Sequence, residues 1–125
     1  MTNEQIEKEI KKLKRQISCL YPYKVYTALL TQSGTNAPVA TVLQNTLGGT
    51  VVWTRVSSGD YEGTLSSAFT SNKTLCNISP TFLVTMAFNE GINVICEPSS
   101  TSVIHINTGT DDYLNVTWVE VKVYY

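Results

Sequence analysis

Apolar residues follow a helical period in one stretch of the chain, from Asn3 to Leu20. Successive apolar positions there are separated by steps of 4, 3, 4 and 3 residues, which is the spacing of a heptad seam. The residues between them are almost all charged or polar, so the predicted helix has one narrow apolar stripe, and such a stripe favours contact with a copy of the same helix. We therefore predict an oligomerisation seam formed by Ile6, Ile10, Leu13, Ile17 and Leu20.

The ends of this helix are also marked in the sequence. Thr2 is followed three residues later by Gln5, the pattern of a capping box. Pro22 ends the helix because a residue that precedes proline avoids helical geometry. We expect residues 1–21 to form an oligomerising or anchoring helix and residues 22–125 to form a separate β domain.

Beyond the helix the pattern changes to the two-residue period of β-strands. Nine short candidate strands are separated by clusters of Gly, Pro, Asn, Asp and Ser, which favour turns. This spacing predicts an antiparallel β-sandwich of jelly-roll-like type, although it leaves the strand order open. The candidates are Tyr23–Gln32, Pro38–Asn45, Thr50–Val56, Tyr61–Ser66, Thr74–Ile78, Phe82–Phe88, Asn93–Glu97, Ser102–Asn107 and Leu114–Tyr125.

The helix has two interpretations. It could lie on its own β domain, or it could pair with copies of itself. Fewer than three heptads make a marginal isolated helix, so a coiled coil of this length also needs association of the β domains. Ile at the a positions with Leu at d favours a dimer, whereas Ile6 at the first d position favours a trimer. We predict a homo-oligomer, and the heptad pattern by itself leaves the dimer and the trimer open.

Charge narrows the range of partners. Residues 1–20 have a net charge of +2 and residues 21–125 a net charge of −3. The basic residues of the helix alternate with acids, as on a solvated coiled-coil surface, and the strands have no basic stripe that could follow a phosphate backbone. No apolar run approaches the ~20 residues that cross a bilayer. We expect neither nucleic-acid nor membrane binding.

Cysteine and histidine usage argues against metal sites. Cys19, Cys76 and Cys96 contain no Cys-x-x-Cys pair, and His105 is the single histidine, so neither a zinc site nor a disulfide framework is predicted. Cys76 and Cys96 lie in apolar runs, where cysteine usually behaves as a small core residue. His105 has no nucleophile or carboxylate near it in sequence, and we interpret it as structural.

Carboxylates provide no catalytic pair that the sequence can select. Glycoside cleavage needs two of them at a defined separation, and nothing distinguishes a pair among the candidates. We therefore predict no catalytic residues, no metal and no cofactor, and hence a protein that is not an enzyme. The candidates are Asp60, Glu62, Glu90, Glu97 and Glu120.

Aromatic side chains are the remaining candidates for ligand contact. Trp53, Tyr61 and Trp118 could stack on a sugar or a partner. Large aromatics in a small sandwich also serve as core or interface residues, and this alternative stays open. Arg55, two residues after Trp53, has the same two interpretations, a structural ion pair or a binding contact.

Several segments together resemble a known group of proteins. They are YKVYTALLTQ at 23–32, APVATVLQNTLG at 37–48, WTR at 53–55, GDY at 59–61 and VEVKVY at 119–124. This pattern resembles small virion proteins of tailed bacteriophages that infect Bacteroidota, over most of residues 23–125. The resemblance implies a β domain displayed on a phage particle as a head fibre or capsid decoration, often trimeric with an N-terminal helical anchor, and for this reason we prefer the trimer to the dimer. It implies localisation in the virion after assembly in the host cytoplasm, and contact with the capsid or other virion proteins.

Two further functions compete with this expectation. The first is a carbohydrate-binding receptor or adhesion module of a phage fibre, with Trp53, Tyr61 or Trp118 stacked on host or mucosal glycan. The second is a glycan-degrading enzyme, and polysaccharide turnover measured with Glu62 and Glu97 neutralised would test it. A virion structural protein without enzymatic activity is the function that the sequence favours.

Overall fold

A computed structural model describes residues 2–20, 22–79 and 94–125, and for residues 17–20 it describes the backbone only. One helix is followed by eight strands, so the prediction of a short helix and an antiparallel β-sandwich is confirmed. The predicted strand at Phe82–Phe88 lies outside the described residues. The elements are α1 (Asn3–Leu20), β1 (Tyr23–Thr31), β2 (Val39–Asn45), β3 (Val52–Ser57), β4 (Asp60–Thr64), β5 (Thr74–Ile78), β6 (Ile95–Pro98), β7 (Val103–Asn107) and β8 (Thr117–Tyr124).

The strands form two four-stranded antiparallel sheets. Sheet A has the order β2-β1-β8-β5, and sheet B has the order β3-β4-β7-β6. β1 and β8 pair along most of their length, from Tyr23↔Tyr124 to Leu30↔Thr117. The first and last strands of the domain therefore lie together at the centre of sheet A.

Alternating residues on these strands build the core between the sheets. On β8, Val119, Val121 and Val123 are buried, while Trp118 and Glu120 on the other face are half-buried, as the sequence pattern predicts. Strand residues from both sheets and loop residues complete one cluster. Its fully buried members are Tyr26, Ala28, Leu30, Tyr61, Phe69, Ile104, Ile106, Leu114, Val119 and Val121.

The edges of the two sheets meet on one side of the sandwich. Among the described residues β5 and β6 are each the edge strand of their own sheet, and the two strands contact each other. β2 and β3 are therefore the edges on the opposite side, where residues 46–51 connect them. The domain therefore has one side where β5 and β6 meet and an opposite side formed by β2 and β3.

The helix begins at a capping box and leaves its sides exposed. Thr2 N–H donates to Gln5 Oε1 at 2.9 Å, and Gln5 N–H donates to Thr2 Oγ1 at 3.3 Å, so the predicted cap is confirmed. Every described side chain from Thr2 to Gln16 is exposed. In the described part of the chain, the helix therefore buries none of its side chains against either sheet.

Candidate functional site

The apolar seam of α1 is exposed to solvent in the single chain. Ile6, Ile10 and Leu13 are 42%, 46% and 54% exposed. The side chains of Ile17 and Leu20, the other two predicted seam residues, lie outside the described residues. Three large apolar side chains lie on one face of a helix whose described side chains are all exposed, and they form a surface that suits another protein.

A second apolar surface lies along the side of the sandwich where β2 and β3 are the edge strands. We call it the β2–β3 edge and define it by five residues that are 50–69% exposed, namely Val39, Val42, Leu43, Val52 and Val56. β2 contains no charged residue. Soluble proteins commonly protect free edge strands with lysine or other charges, and β2 lacks this protection.

The β2–β3 edge begins close to the helix. β1 follows α1 directly in the chain, and the end of β2 is fixed to the start of β1 by Thr46. The Thr46 N–H donates to the Val25 carbonyl oxygen at 2.8 Å, and the Val25 N–H donates to Thr46 Oγ1 at 2.8 Å. The end of the edge at Asn45 therefore lies beside the strand into which the helix leads.

Two of the three aromatic candidates for ligand contact are core residues. Trp53 is 8% exposed and Tyr61 is 0% exposed. Trp53 Nε1–H donates to the Tyr26 hydroxyl at 3.1 Å, and its ring lies against Gly63, the residue opposite it on β4. A sugar cannot stack on a ring that is enclosed by the core, so the structure assigns Trp53 and Tyr61 a packing role.

Trp118 has a different position. It lies on the outer face of sheet A, half-buried, opposite Leu29 of β1. Its backbone N–H donates to Ser79 Oγ at 3.0 Å. Trp118 is thus the one predicted ligand-contact residue whose ring lies on the surface of the sandwich.

Arg55 forms an ion pair with Asp111. Its Nη2–H donates to Asp111 Oδ2 at 2.7 Å and its Nε–H to Oδ1 at 3.1 Å, while the Gly59 N–H donates to Oδ1 at 3.1 Å. The bond from Arg55, followed by the bond from Tyr61, holds the pKa of Asp111 well below its ordinary value. Of the two interpretations of Arg55, the structural ion pair is the one observed.

The Tyr61 hydroxyl joins this ion pair to Gln32. It lies 2.7 Å from Asp111 Oδ1 and 2.8 Å from Gln32 Oε1, and its single proton can serve only one of them at a time. Burial, and then the neighbouring Asp111 carboxylate, raises the pKa of Tyr61 far above its ordinary value. The phenol therefore stays protonated as a structural donor and cannot act as a general base near neutral pH.

His105 acquires a carboxylate partner through folding. Its Nε2 lies 2.9 Å from Asp60 Oδ1, and the Asn107 Nδ2–H donates to the same oxygen at 2.8 Å. The Ser57 hydroxyl donates to the other oxygen of Asp60 at 3.0 Å. Nucleophilic catalysis requires the imidazole between the hydroxyl and the carboxylate, whereas here the carboxylate lies in the middle. This cluster orients side chains without activating the serine.

The glutamates of the enzymatic interpretation lie on the two strands that flank β7 in sheet B. Glu62 and Glu97 both lie directly opposite His105, one on each neighbouring strand, so their backbones are about 9.6 Å apart, twice the strand spacing. The cavity described below is lined by other residues. Glu90 lies outside the described residues. Within the described residues no group of three or more His, Cys, Asp or Glu is placed to hold a metal ion.

A cavity of about 260 Å³ opens near the junction of α1 and β1. Its wall contains Lys24, Lys73, Tyr124 and Tyr125 together with serine and threonine residues, and no carboxylate side chain is present among the described lining residues. Lys24 Nζ lies 6.0 Å from the centroid of the Tyr125 ring. A shallow pocket with hydroxyls, ammonium groups and exposed tyrosine suits a polar ligand such as a sugar.

Sequence reasoning missed most of this geometry because it depends on pairing between distant strands. The contact of Asp60 with His105 and that of Arg55 with Asp111 each join residues more than forty positions apart. The absence of charge on β2 is visible in the sequence and is the signal that could have identified the β2–β3 edge.

Comparison with known proteins adds no assignment to this geometry. Within the described residues, no helix has the length and apolar character needed to span a membrane. Searches of protein-family models, of curated proteins and of solved structures find no match to this chain.

Proposed function

We propose that the protein is a non-enzymatic structural subunit of a bacteriophage virion, a head fibre or capsid decoration protein, whose copies are joined through α1. The observation that supports assembly is the exposed seam of Ile6, Ile10 and Leu13 on a helix whose described side chains are all exposed. Support for the virion comes from the resemblance of residues 23–125 to small phage virion proteins. The absence of any match among known proteins leaves that resemblance as its basis.

The seam acts by the hydrophobic effect. Burial of an apolar side chain of this size is worth about 1.5–3 kcal/mol when it is complete, and each copy contributes several. A helix of this length is marginal alone, so the proposal includes contact between β domains, and the β2–β3 edge provides an exposed apolar surface for it. Several joined copies then bind a symmetric surface such as a capsid more tightly than one copy does. Once one copy is bound, the others are held close to their own sites, and the overall affinity exceeds that of a single contact.

The solution mass of the full chain tests the assembly step. We expect a trimer by light scattering, and a smaller species for the double variant Ile10→Gln, Leu13→Gln, since glutamine keeps helix propensity but removes the apolar surface. Lys12→Gln is the matched control because Lys12 lies on the charged side of the helix, and it should leave the mass unchanged. A wild-type chain that is monomeric at high concentration would overturn the proposal for α1.

Localisation is tested on phage particles. Antibodies raised against residues 22–125 and coupled to gold should label the heads of intact particles of the phage that encodes the chain. Labelling confined to the host-cell fraction, with none on purified particles, would contradict the virion assignment.

A carbohydrate-binding module is the second candidate. It is supported by the surface position of Trp118 and by the cavity next to Lys24 and Tyr125. Binding on a glycan array that Trp118→Ala abolishes and Trp118→Phe retains would assign the sugar contact to the outer face of sheet A. Absence of binding to every sugar would remove this candidate.

A further inference from the structure

Cys76 and Cys96 lie on the two edge strands that meet on one side of the sandwich. Cys76 is in β5 of sheet A and Cys96 is in β6 of sheet B, and these strands contact each other. Cys76 lies opposite Val121 and Cys96 lies opposite Ile106. Both partners are core residues, and directly opposed residues point to the same face of a sheet. Both thiols therefore point into the seam between the two sheets.

The two thiols also interact with each other. A hydrogen bond between them lowers the pKa of Cys76 and raises the pKa of Cys96, so Cys76 is the thiol of the pair that loses its proton more readily, with Cys96 as the hydrogen-bond donor. Both residues are half-buried, which leaves room for a small reagent to approach. A thiolate is the reactive form of cysteine in disulfide exchange.

We propose that Cys76 and Cys96 are a redox-sensitive pair that forms an intramolecular disulfide, joining sheet A to sheet B, when the folded protein meets a small-molecule disulfide such as oxidised glutathione. In a reducing compartment the pair stays as two thiols. The bond would close the side of the sandwich opposite the β2–β3 edge, so it leaves the proposed assembly surfaces free.

The chemistry is a two-step thiol–disulfide exchange. The Cys76 thiolate attacks one sulfur of oxidised glutathione, which forms a mixed disulfide and releases one glutathione thiolate. Cys96 then loses its proton, attacks the Cys76 sulfur and releases the second glutathione. The two cysteines lose two electrons and two protons in total, and oxidised glutathione gains them as two molecules of reduced glutathione.

Closure of this bond should stabilise the folded protein. A disulfide removes conformational freedom from the unfolded chain, by an amount that grows with the closed loop, and this one encloses residues 77–95. The effect is visible as a higher midpoint of thermal unfolding for the oxidised form than for the reduced form, by several degrees, with reversal on addition of dithiothreitol.

The test uses the folded full-length chain, with Cys19→Ser as a second sample in which only this pair remains. After incubation with oxidised glutathione, we expect loss of both thiols in Cys19→Ser, an intact mass lower by two hydrogens and no glutathione adduct. Peptide mapping should recover Cys76 linked to Cys96, in the wild type as well. Two double variants serve as controls, and each keeps a single thiol. One combines Cys19→Ser with Cys76→Ser, and the other combines Cys19→Ser with Cys96→Ser. The remaining thiol should take up glutathione and stay as the mixed disulfide.

Several results would overturn the inference. They are two stable glutathione adducts on one folded chain, two thiols that stay unmodified until the protein is unfolded, and linkage only between different chains. Because the main measurement is made with Cys76 and Cys96 both present, it does not depend on the folding of variants at these half-buried positions.

Discussion

The carboxylate of Asp111 shows how one side chain fastens three separate parts of the domain. It accepts hydrogen bonds from Arg55 of β3 and from the Gly59 amide in the turn before β4, and it contacts the hydroxyl of Tyr61. Charge-assisted hydrogen bonds are stronger than neutral ones. The loop that carries Asp111 is thereby held to the hairpin of β3 and β4.

Asp111 should make the stability of the protein depend on acid. Its folded-state pKa lies below the ordinary value of 3.8, so the unfolded chain binds this proton more readily than the folded one. The stabilisation is complete above that ordinary value and is lost as pH falls below it, through the folded pKa. Asp60, whose pKa is lowered chiefly by its bond to His105, acts in the same direction.

We therefore expect Asp111→Asn to lower the midpoint of thermal unfolding by several degrees at pH 6 and by somewhat less at pH 3, where the loss has begun but the folded pKa of Asp111 has not been reached. The measurement is thermal unfolding followed by circular dichroism at both values. Glu62→Gln removes one half-buried carboxylate whose side chain has no hydrogen-bond partner among the described residues, and it should keep the wild-type difference between the two pH values. If Asp111→Asn lowered the midpoint equally at pH 6 and pH 3, the charge of the Asp111 carboxylate would be unimportant for stability.

Gly63 is required by the ring that packs over it. A Cβ atom at Gly63 would lie 2.8–3.0 Å from three carbons of the Trp53 ring, and that ring is buried and hydrogen-bonded to Tyr26. Because the ring cannot move freely, Gly63→Ala should destabilise the fold by about 1–3 kcal/mol, a typical cost of overpacking a core.

The matched control is Gly49→Ala, measured by urea unfolding beside Gly63→Ala. A Cβ at Gly49 would also meet a carbon at 2.8 Å, but that carbon is the Cδ1 of the flexible, half-buried Leu65. Gly49→Ala should therefore cost less than Gly63→Ala. The reverse order would contradict a fixed position for the Trp53 ring.

At the scale of elements, local signals were sufficient wherever the determining residues are neighbours in sequence. The heptad spacing and the Thr2–Gln5 pair correctly placed α1, because both act within a few residues. The sequence pattern predicts the start of the last strand at Leu114, whereas β8 begins at Thr117. Val116 adopts a left-handed φ of 47°, and the apolar pattern does not reveal this break.

The β2–β3 edge makes a prediction that belongs to this scale. If this edge contacts another copy, a lysine there must bury its ammonium group or separate the copies. We expect Leu43→Lys to raise the dissociation constant of the oligomer at least tenfold, which corresponds to about 1.4 kcal/mol, when measured by sedimentation equilibrium.

Leu75→Lys is the matched control for that measurement. Leu75 is 48% exposed and Leu43 is 59% exposed, but Leu75 lies on β5, at the opposite side of the sandwich. It should change the dissociation constant less than twofold. Equal weakening by both lysines would indicate a general effect of charge and would argue against a specific edge contact.

For the whole molecule, we expect the helix and the sandwich to contribute separately to the free energy of folding. Every described side chain of α1 up to Gln16 is exposed, so the core owes nothing to those residues. We expect a chain of residues 22–125 to keep the β-sheet circular dichroism spectrum. The reference for its stability is the full-length double variant Ile10→Gln, Leu13→Gln at low concentration, where the chains are not associated. The two midpoints of thermal unfolding should agree within about 3 °C, because removal of the helix costs less than about 1 kcal/mol of stability. A large loss of stability would mean that the helix also supports the sandwich.

The two-sheet architecture follows from the alternation of buried and exposed residues, but its connectivity does not. The alternation of apolar and polar residues indicates which face of each strand is buried. This pattern would be the same if Tyr23 lay beside the end of another strand instead of beside Tyr124. The pairing of β1 with β8, and of β4 with β7, is decided by packing across the whole domain. The contacts of Asp60, Asp111 and the two edge cysteines depend on that pairing and were hidden for the same reason.

The central position of β1 has a mechanical consequence. β1 follows the helix and is hydrogen-bonded to β2 on one side and β8 on the other. A force applied between the helix and the turn of residues 33–36 acts along the axis of β1. It loads the hydrogen bonds of β1 with β2 and with β8 in shear, so these bonds must break together. A pull that separates the helix from Tyr125 instead opens the ladder from Tyr23↔Tyr124, one pair at a time. The domain therefore transmits tension firmly along its length and yields easily when its two chain ends are drawn apart.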